Sequence, residues 1–194
     1  MAGCCLLDSL HFRWVRGWSQ RDDSGKREGE MAKSTGSAGA VKATGAATIE
    51  SVADVLEREL QPLIADWLKR VEQEPDLRRI PLSFEDRTGH LPALLHDVIA
   101  RLRLDAGTKA PISKAAAEHG ELRRKQGYTV AMAVQESRLL QVTIFSTLQK
   151  NANSLESGLL LPDVVTIADE VDAQLKEQML RFMAADAAKQ GKGK

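Results

Sequence analysis

TIESVADVLERELQPLIADWLKRVEQ, residues 48–73, decides the fold class. Its apolar residues are Ile49, Val52, Val55, Leu56, Leu60, Leu63, Ile64, Trp67, Leu68 and Val71. The steps of three and four between them draw one stripe along an α-helix. Thr48 or Ser51 can cap its start. Pro62 lies inside the pattern, where a missing N–H either kinks a helix or marks a boundary one turn earlier. Pro75 is expected to end it.

Four more helices follow. Ser83 reads as an N-cap with Asp86 in the capping-box position, and Leu91, Leu94, Leu95, Val98, Ile99 and Leu102 supply the second apolar face. A turn at DAGTKAP leads to a third helix, from about Ile112 or Ser113 to Gln126, stopped by Gly127. The fourth, from about Thr129 to Asn151, is broadly apolar and expected at the centre of the bundle. The fifth starts after Pro162 or just before it. Leu161, Val164, Ala168, Val171, Leu175, Gln178 and Phe182 form a short heptad seam there. Ile167, Met179 and Met183 widen the stripe, which suits a helix that packs in its own bundle and also meets a second chain. No period-2 run or Asn-Gly hairpin signal is present. The expectation is an all-α, single five-helix bundle over 49–185, with residues 186–194 as a frayed, disordered tail.

The chain ahead of this bundle reads differently. Residues 1–30 have no sustained period, and Asp8 breaks the one short apolar run, so no secretory signal is recognisable. KREGE, residues 26–30, can be encoded entirely in purines, as a bacterial ribosome-binding site is. The reading is that translation starts at Met31 and that 1–30 is translated leader. MAKSTGSAGAVKATGAAT is too rich in Ala, Gly, Ser and Thr to bury a core, so 1–48 is expected to be a disordered arm.

Composition narrows the function. The 27 Lys and Arg balance the 27 Asp and Glu, which gives no electrostatic reason to propose a nucleic-acid partner. Aromatics at 4% and abundant Leu and Ala favour helix over sheet. Cys4 and Cys5 are adjacent, so no disulfide framework is available. No apolar run approaches the ~20 residues of a membrane span. A cytoplasmic protein is expected.

The chemistry-bearing stretch is EHGELRRKQGY, residues 118–128. His119, Arg123 and Gln126 fall at i, i+4 and i+7 and share a helix face. The next helix carries Glu136 in an apolar setting, where a buried carboxylate needs a partner. The reading is a structural latch in which Glu136 pairs with Arg123 or His119 across the 127–128 corner, and which can also line a ligand pocket with Tyr128. A metal site is not expected: His90 and His96 are six residues apart, poor spacing for one helical face. Haem would need one axial histidine, and His96 and His119 both lie on expected helices. HGELR resembles the HELR box of sensor histidine kinases with one residue inserted, and the insertion turns Glu121 by ~100° relative to the histidine. No Gly-x-Ser-x-Gly elbow or glycine-rich phosphate loop is present, and nothing argues for an enzyme.

ADWLKRV (65–71), LPALLHDVIARL (91–102), AAAEHGELRRKQGYTV (115–130) and QESRLL (135–140) carry a resemblance. From about Ile49 to Met183 the chain resembles the N-terminal domain family of the RsbT co-antagonist RsbRD, a sensory domain also found at the front of bacterial sensor histidine kinases. The pattern His-x3-Arg-x3-Gly-aromatic is complete at His119, Arg123, Gly127 and Tyr128. The resemblance implies an all-α sensory or regulatory domain, similar to the non-haem globin-like input domains of stressosome proteins. Those pair through their last helices, which would make Leu161, Val164, Ala168, Val171, Leu175 and Phe182 a dimer or partner seam. Family members usually carry a STAS or kinase output domain, whereas this chain stops at Lys194. The expected function is therefore a non-enzymatic signalling module in stress or two-component signalling. It would homodimerise or act in trans on a related multi-domain protein. Two alternatives stay open: a small-ligand or haem-binding sensor, and a phosphorelay component phosphorylated on His119.

Overall fold

A computed structural model describes residues 49–105 and 107–191, with side chains described to residue 185. The arm expected at 1–48 and the start at Met31 lie outside the described residues. The described chain is all-α: α1 Val52–Arg58, α2 Leu60–Gln73, α3 Pro75–Arg78, α4 Phe84–Thr88, α5 Leu91–Leu102, α6 Lys114–Lys125, α7 Val130–Lys150 and α8 Ser157–Gly191. These helices belong to one compact unit. Among the described residues, the one strand-like feature is an isolated parallel bridge between Glu50 and Leu155.

The segmentation is finer than the five helices expected, and each break has a local cause. The first long helix divides at Glu59, which leaves Pro62 as the third residue of α2. A proline in the first turn removes an N–H that has no intrahelical acceptor anyway, so the boundary falls one turn ahead of it. Ser51, one of the two expected caps, caps α1 by accepting from the Asp54 N–H. Pro75 starts the one-turn α3 rather than merely ending α2. The second expected helix divides at Gly89 and His90, and Pro92 sits in the first turn of α5. Ser83 caps α4 as expected, although Asp86 reciprocates through its side chain on the Ser83 hydroxyl at 2.6 Å. α8 begins at Ser157, ahead of Pro162, and continues to Gly191, past the boundary set at 185.

The stripe of α1 and α2 is the backbone of the core. Val55, Leu56, Leu63, Trp67 and Val71 are fully enclosed, together with Leu95, Val98 and Ile99 of α5 and Ile144 and Leu148 of α7. Ile49 is the exception on that stripe and lies exposed. The 21-residue α7 packs against α1, α2, α3 and α8, the central place expected for it, although Val130 and Val134 at its start remain exposed.

α8 corrects the seam. Val171 and Phe182 are 2% exposed and belong to the bundle core, with Ile167 and Gln178 beside them on the same face. Val164, Ala168 and Leu175 are half-buried, and Leu161 alone of the six is fully outward. The heptad pattern marks the face that packs inward on α5, α6 and α7. At α6 the approach is so close that a β-carbon on Gly120 would strike the backbone carbonyl of Gln178. Glycine there lets the two helix backbones meet.

Candidate functional site

The site is assembled by the corner between α6 and α7. Ser113 caps α6 by accepting from the Ala116 N–H, and its hydroxyl donates to Asp97 at 2.6 Å. At the other end Gly127 takes φ +88°, the left-handed conformation that ends a helix cheaply only in glycine. The Tyr128 N–H then returns to the Arg123 carbonyl and the Gly127 N–H to that of Arg124, a Schellman motif. This turn drives Tyr128 inward. Thr129 caps α7 on the Met132 N–H, and Glu136 faces back toward α6.

Glu136 is 3% exposed and Arg123 is fully buried. Arg123 Nε and Nη2 donate to the two oxygens of Glu136, both at 2.8 Å. Its remaining N–H groups reach the Asp86 carbonyl at 3.0 Å, the Arg87 carbonyl at 3.0 Å and Gln126 Oε1 at 2.7 Å. All five guanidinium donors are thus used. The Tyr128 hydroxyl donates to Glu136 at 3.3 Å, its ring lies 4.9 Å from the guanidinium carbon, and His119 Nε2 is 3.2 Å from the same carboxylate. The expected latch of His119, Arg123, Gln126, Tyr128 and Glu136 is therefore brought together in full, with Glu136 meeting both expected partners.

Three residues outside the expected latch join it. Arg87 of α4 is buried, donates to the Ile80 carbonyl at 2.7 Å and reaches the Tyr128 hydroxyl at 3.4 Å. Trp67 Nε1 donates to the Glu136 backbone carbonyl at 3.4 Å. The His90 ring stacks on that of His119 with centroids 3.8 Å apart and planes 13° apart, and Trp67 and His90 meet edge-on with centroids 6.0 Å apart. Spacing along one helix could not find His90, because its partner lies 29 positions away on another element. His96, weighed with His90 as a metal ligand and with His119 as a haem ligand, is half-exposed beside Glu57.

The electrostatics follow from burial. Burial pushes the Glu136 carboxyl up, but the His119 hydrogen bond and the Arg123 charge outweigh it and hold it below the usual range. Burial lowers His119 and outweighs the Glu136 contacts that would raise it. His90 is held well below its ordinary value, by burial first and then by the facing His119 and Arg123. Tyr128 is pushed up to about 12 by burial and the nearby carboxylate. The cluster at neutral pH holds the Arg123–Glu136 ion pair and the Arg87 guanidinium, framed by two neutral imidazoles and a neutral phenol. An ionised Glu136 only accepts, so His119 Nε2 carries the hydrogen and Nδ1 presents a lone pair.

This geometry decides what the site can do. His90, His119 and Glu136 bring three ligand-type atoms within 4.8 Å of one another. A divalent cation there would face a guanidinium already bonded to both carboxylate oxygens, so the residues do not fit a metal. They do not fit haem either. The adjoining cavity, lined by Trp67, Leu94, Ala116 and His119, has a volume of about 20 Å³, far too small for a porphyrin. His96, the other axial candidate, stands on an exposed surface. Phosphotransfer to His119 meets the same obstacle, since Nε2 is tied to Glu136 and the residue is 4% exposed. The chain matches no family model, no curated protein and no solved structure, and the site is read from its own geometry.

Proposed function

We propose that the chain is a non-enzymatic regulatory module of bacterial signalling that works by pairing with a second copy of itself, or with a related multi-domain chain, through α8. The observation that carries this reading is an outward apolar stripe on that helix. Leu161, Val165, Leu180 and Met183 are each more than half exposed. At 100° per residue they share an arc of about 100°, facing away from Val171, Gln178 and Phe182. The charges along the same arc are Asp169, Asp172 and Lys176. Laid antiparallel against itself about its midpoint, the stripe matches apolar to apolar and one acid to one base, and sets Asp172 at the centre against its own copy. Leu161 of one copy meets Met183 of the other, Val165 meets Leu180, and Asp169 meets Lys176. A two-fold interface brings one patch against itself, and all but the central contact on this one are matched. The resemblance to the RsbRD N-terminal family points to the same helix. The locked ion pair at Glu136 supports a structural rather than catalytic reading, because every Arg123 donor and both Glu136 oxygens are already engaged.

Light scattering on the full chain tests the reading. A dimer is expected, reduced to monomer by Val165→Asp and by Asp169→Lys, with the dimer regained when Lys176→Asp is added to Asp169→Lys. A wild-type chain that stays monomeric at micromolar concentration sinks the self-pairing.

A further inference from the structure

Two buried polar side-chain atoms have no hydrogen-bond partner among the described residues: His119 Nδ1 and Gln178 Nε2. Both residues are more than nine-tenths buried, at 4% and 5% exposure. Both line the same cavity between α6 and α8. An orphaned buried donor or acceptor is costly, and native interiors rarely keep one without a partner. The two atoms are of opposite character. His119 Nδ1 is an acceptor, because Nε2 carries the ring hydrogen toward Glu136. Gln178 Nε2 is a donor.

The cavity has the size and lining to use them. Its volume is about 20 Å³, enough for a water or a molecule of about two heavy atoms. Trp67, Leu91, Leu94, Ala116, Leu140 and Val171 give it apolar walls. Gln174, also on the lining, is committed elsewhere, donating to the Leu94 carbonyl at 3.1 Å and to Glu170 at 3.1 Å. The close approach of Gly120 to the Gln178 carbonyl fixes the spacing of the two helices that carry the orphaned atoms.

We infer that this cavity is a binding site for one small, neutral, hydroxyl-bearing molecule, which donates a hydrogen bond to His119 Nδ1 and accepts one from Gln178 Nε2. A charged ligand is excluded by the apolar walls, which could not replace its hydration. Water and a small alcohol share the required chemistry. An occupant would tie the Arg123–Glu136 cluster to α8 through His119, so its presence would be felt by the helix that carries the outward stripe. The inference does not rest on the pairing of α8, since none of the stripe residues lines the cavity.

Solution NMR on the isotopically labelled full chain tests it, using magnetisation transfer from solvent to the methyl groups of Ala116, Leu94, Leu140 and Val171. These methyls hold no exchangeable proton, so transfer reports proximity. The expected result is a water-to-methyl signal of the sign produced by a molecule tumbling with the protein, lost in Gln178→Met. In a second arm, 13C-methanol is added. A saturable methanol-to-Ala116 signal that replaces the water signal identifies a small alcohol as an accepted occupant. An unchanged water signal identifies water itself. Absence of transfer from both water and methanol in the folded wild-type chain overturns the inference, and that outcome does not depend on any variant folding.

Discussion

Replacing Arg123 with methionine keeps most of the side-chain length and removes every one of its five donors. The wild-type side chain is fully buried and its partner Glu136 is 3% exposed. Breaking a buried ion pair by removing one partner leaves the other charge uncompensated, at a cost of about 3–5 kcal/mol. His119 and Tyr128 still donate to the carboxylate, at 3.2 Å and 3.3 Å, which argues for the lower half of that range. The Asp86 and Arg87 carbonyls, which accept from Arg123 at 3.0 Å, also lose a donor. For a folded unit of this size each kcal/mol lowers the melting temperature by roughly 3–5 °C, so a fall of about 10–15 °C is expected. Two controls separate the charge from the lost packing. Without Arg123 the Glu136 carboxyl is pushed up, so the penalty shrinks as the pH is lowered toward 5 and Glu136 neutralises. Adding Glu136→Leu to Arg123→Met removes the stranded charge and recovers much of the loss, as apolar replacements of buried ion pairs do. Urea unfolding of the wild type, both single variants and the double variant completes the cycle. A cost for Arg123→Met below about 1 kcal/mol, the level of an exposed pair, refutes the latch.

Two further outcomes follow from the same contacts. Gly120→Ala places a β-carbon 2.9 Å from the Gln178 carbonyl carbon, so a loss of roughly 1–3 kcal/mol is expected despite alanine's better helix propensity; a gain in stability on urea unfolding would show that α6 and α8 can separate freely. The second outcome concerns acid. His90 and His119 are held below their ordinary value in the folded chain, so the unfolded chain takes up protons first as pH falls through about 6.5. Stability is then flat above that point and lost below it, by up to ~1.4 kcal/mol per pH unit for each histidine. Glu136, also held low, adds to the loss below about pH 4.5. His90→Asn should roughly halve the slope between pH 6.5 and 5, and an unaltered slope in denaturant titrations would remove His90 from the account.

The helical class was legible because it is written locally. The stripe of α1 and α2 predicts Leu56, Leu63, Trp67 and Val71 in the core, and they are there. Ser83, Ser113 and Thr129 cap helices through their own side chains, and Gly127 stops one through its own φ. The pairing of Glu136 with Arg123 and His119 was legible too, for a related reason. All three lie within two turns of one corner, and a carboxylate inside an apolar helix needs a counter-charge within reach.

Tertiary structure alone decided the rest. Nothing in the spacing of His90 and His119 brings their rings to 3.8 Å. That stack depends on how α4, α5 and α6 cross, as does the arrival of Arg87 beside Tyr128. α8 shows the limit most plainly. Its sequence carries enough apolar residues for two faces, and periodicity says that both prefer burial without saying against what. Packing turned Val171, Gln178 and Phe182 inward and left Leu161, Val165, Leu180 and Met183 outside. A helix fixes the angle between its side chains by its own hydrogen bonds, so the stripes are set by the sequence. Which stripe faces the core depends on the shape left by the other helices, and no residue of α8 carries that information by itself.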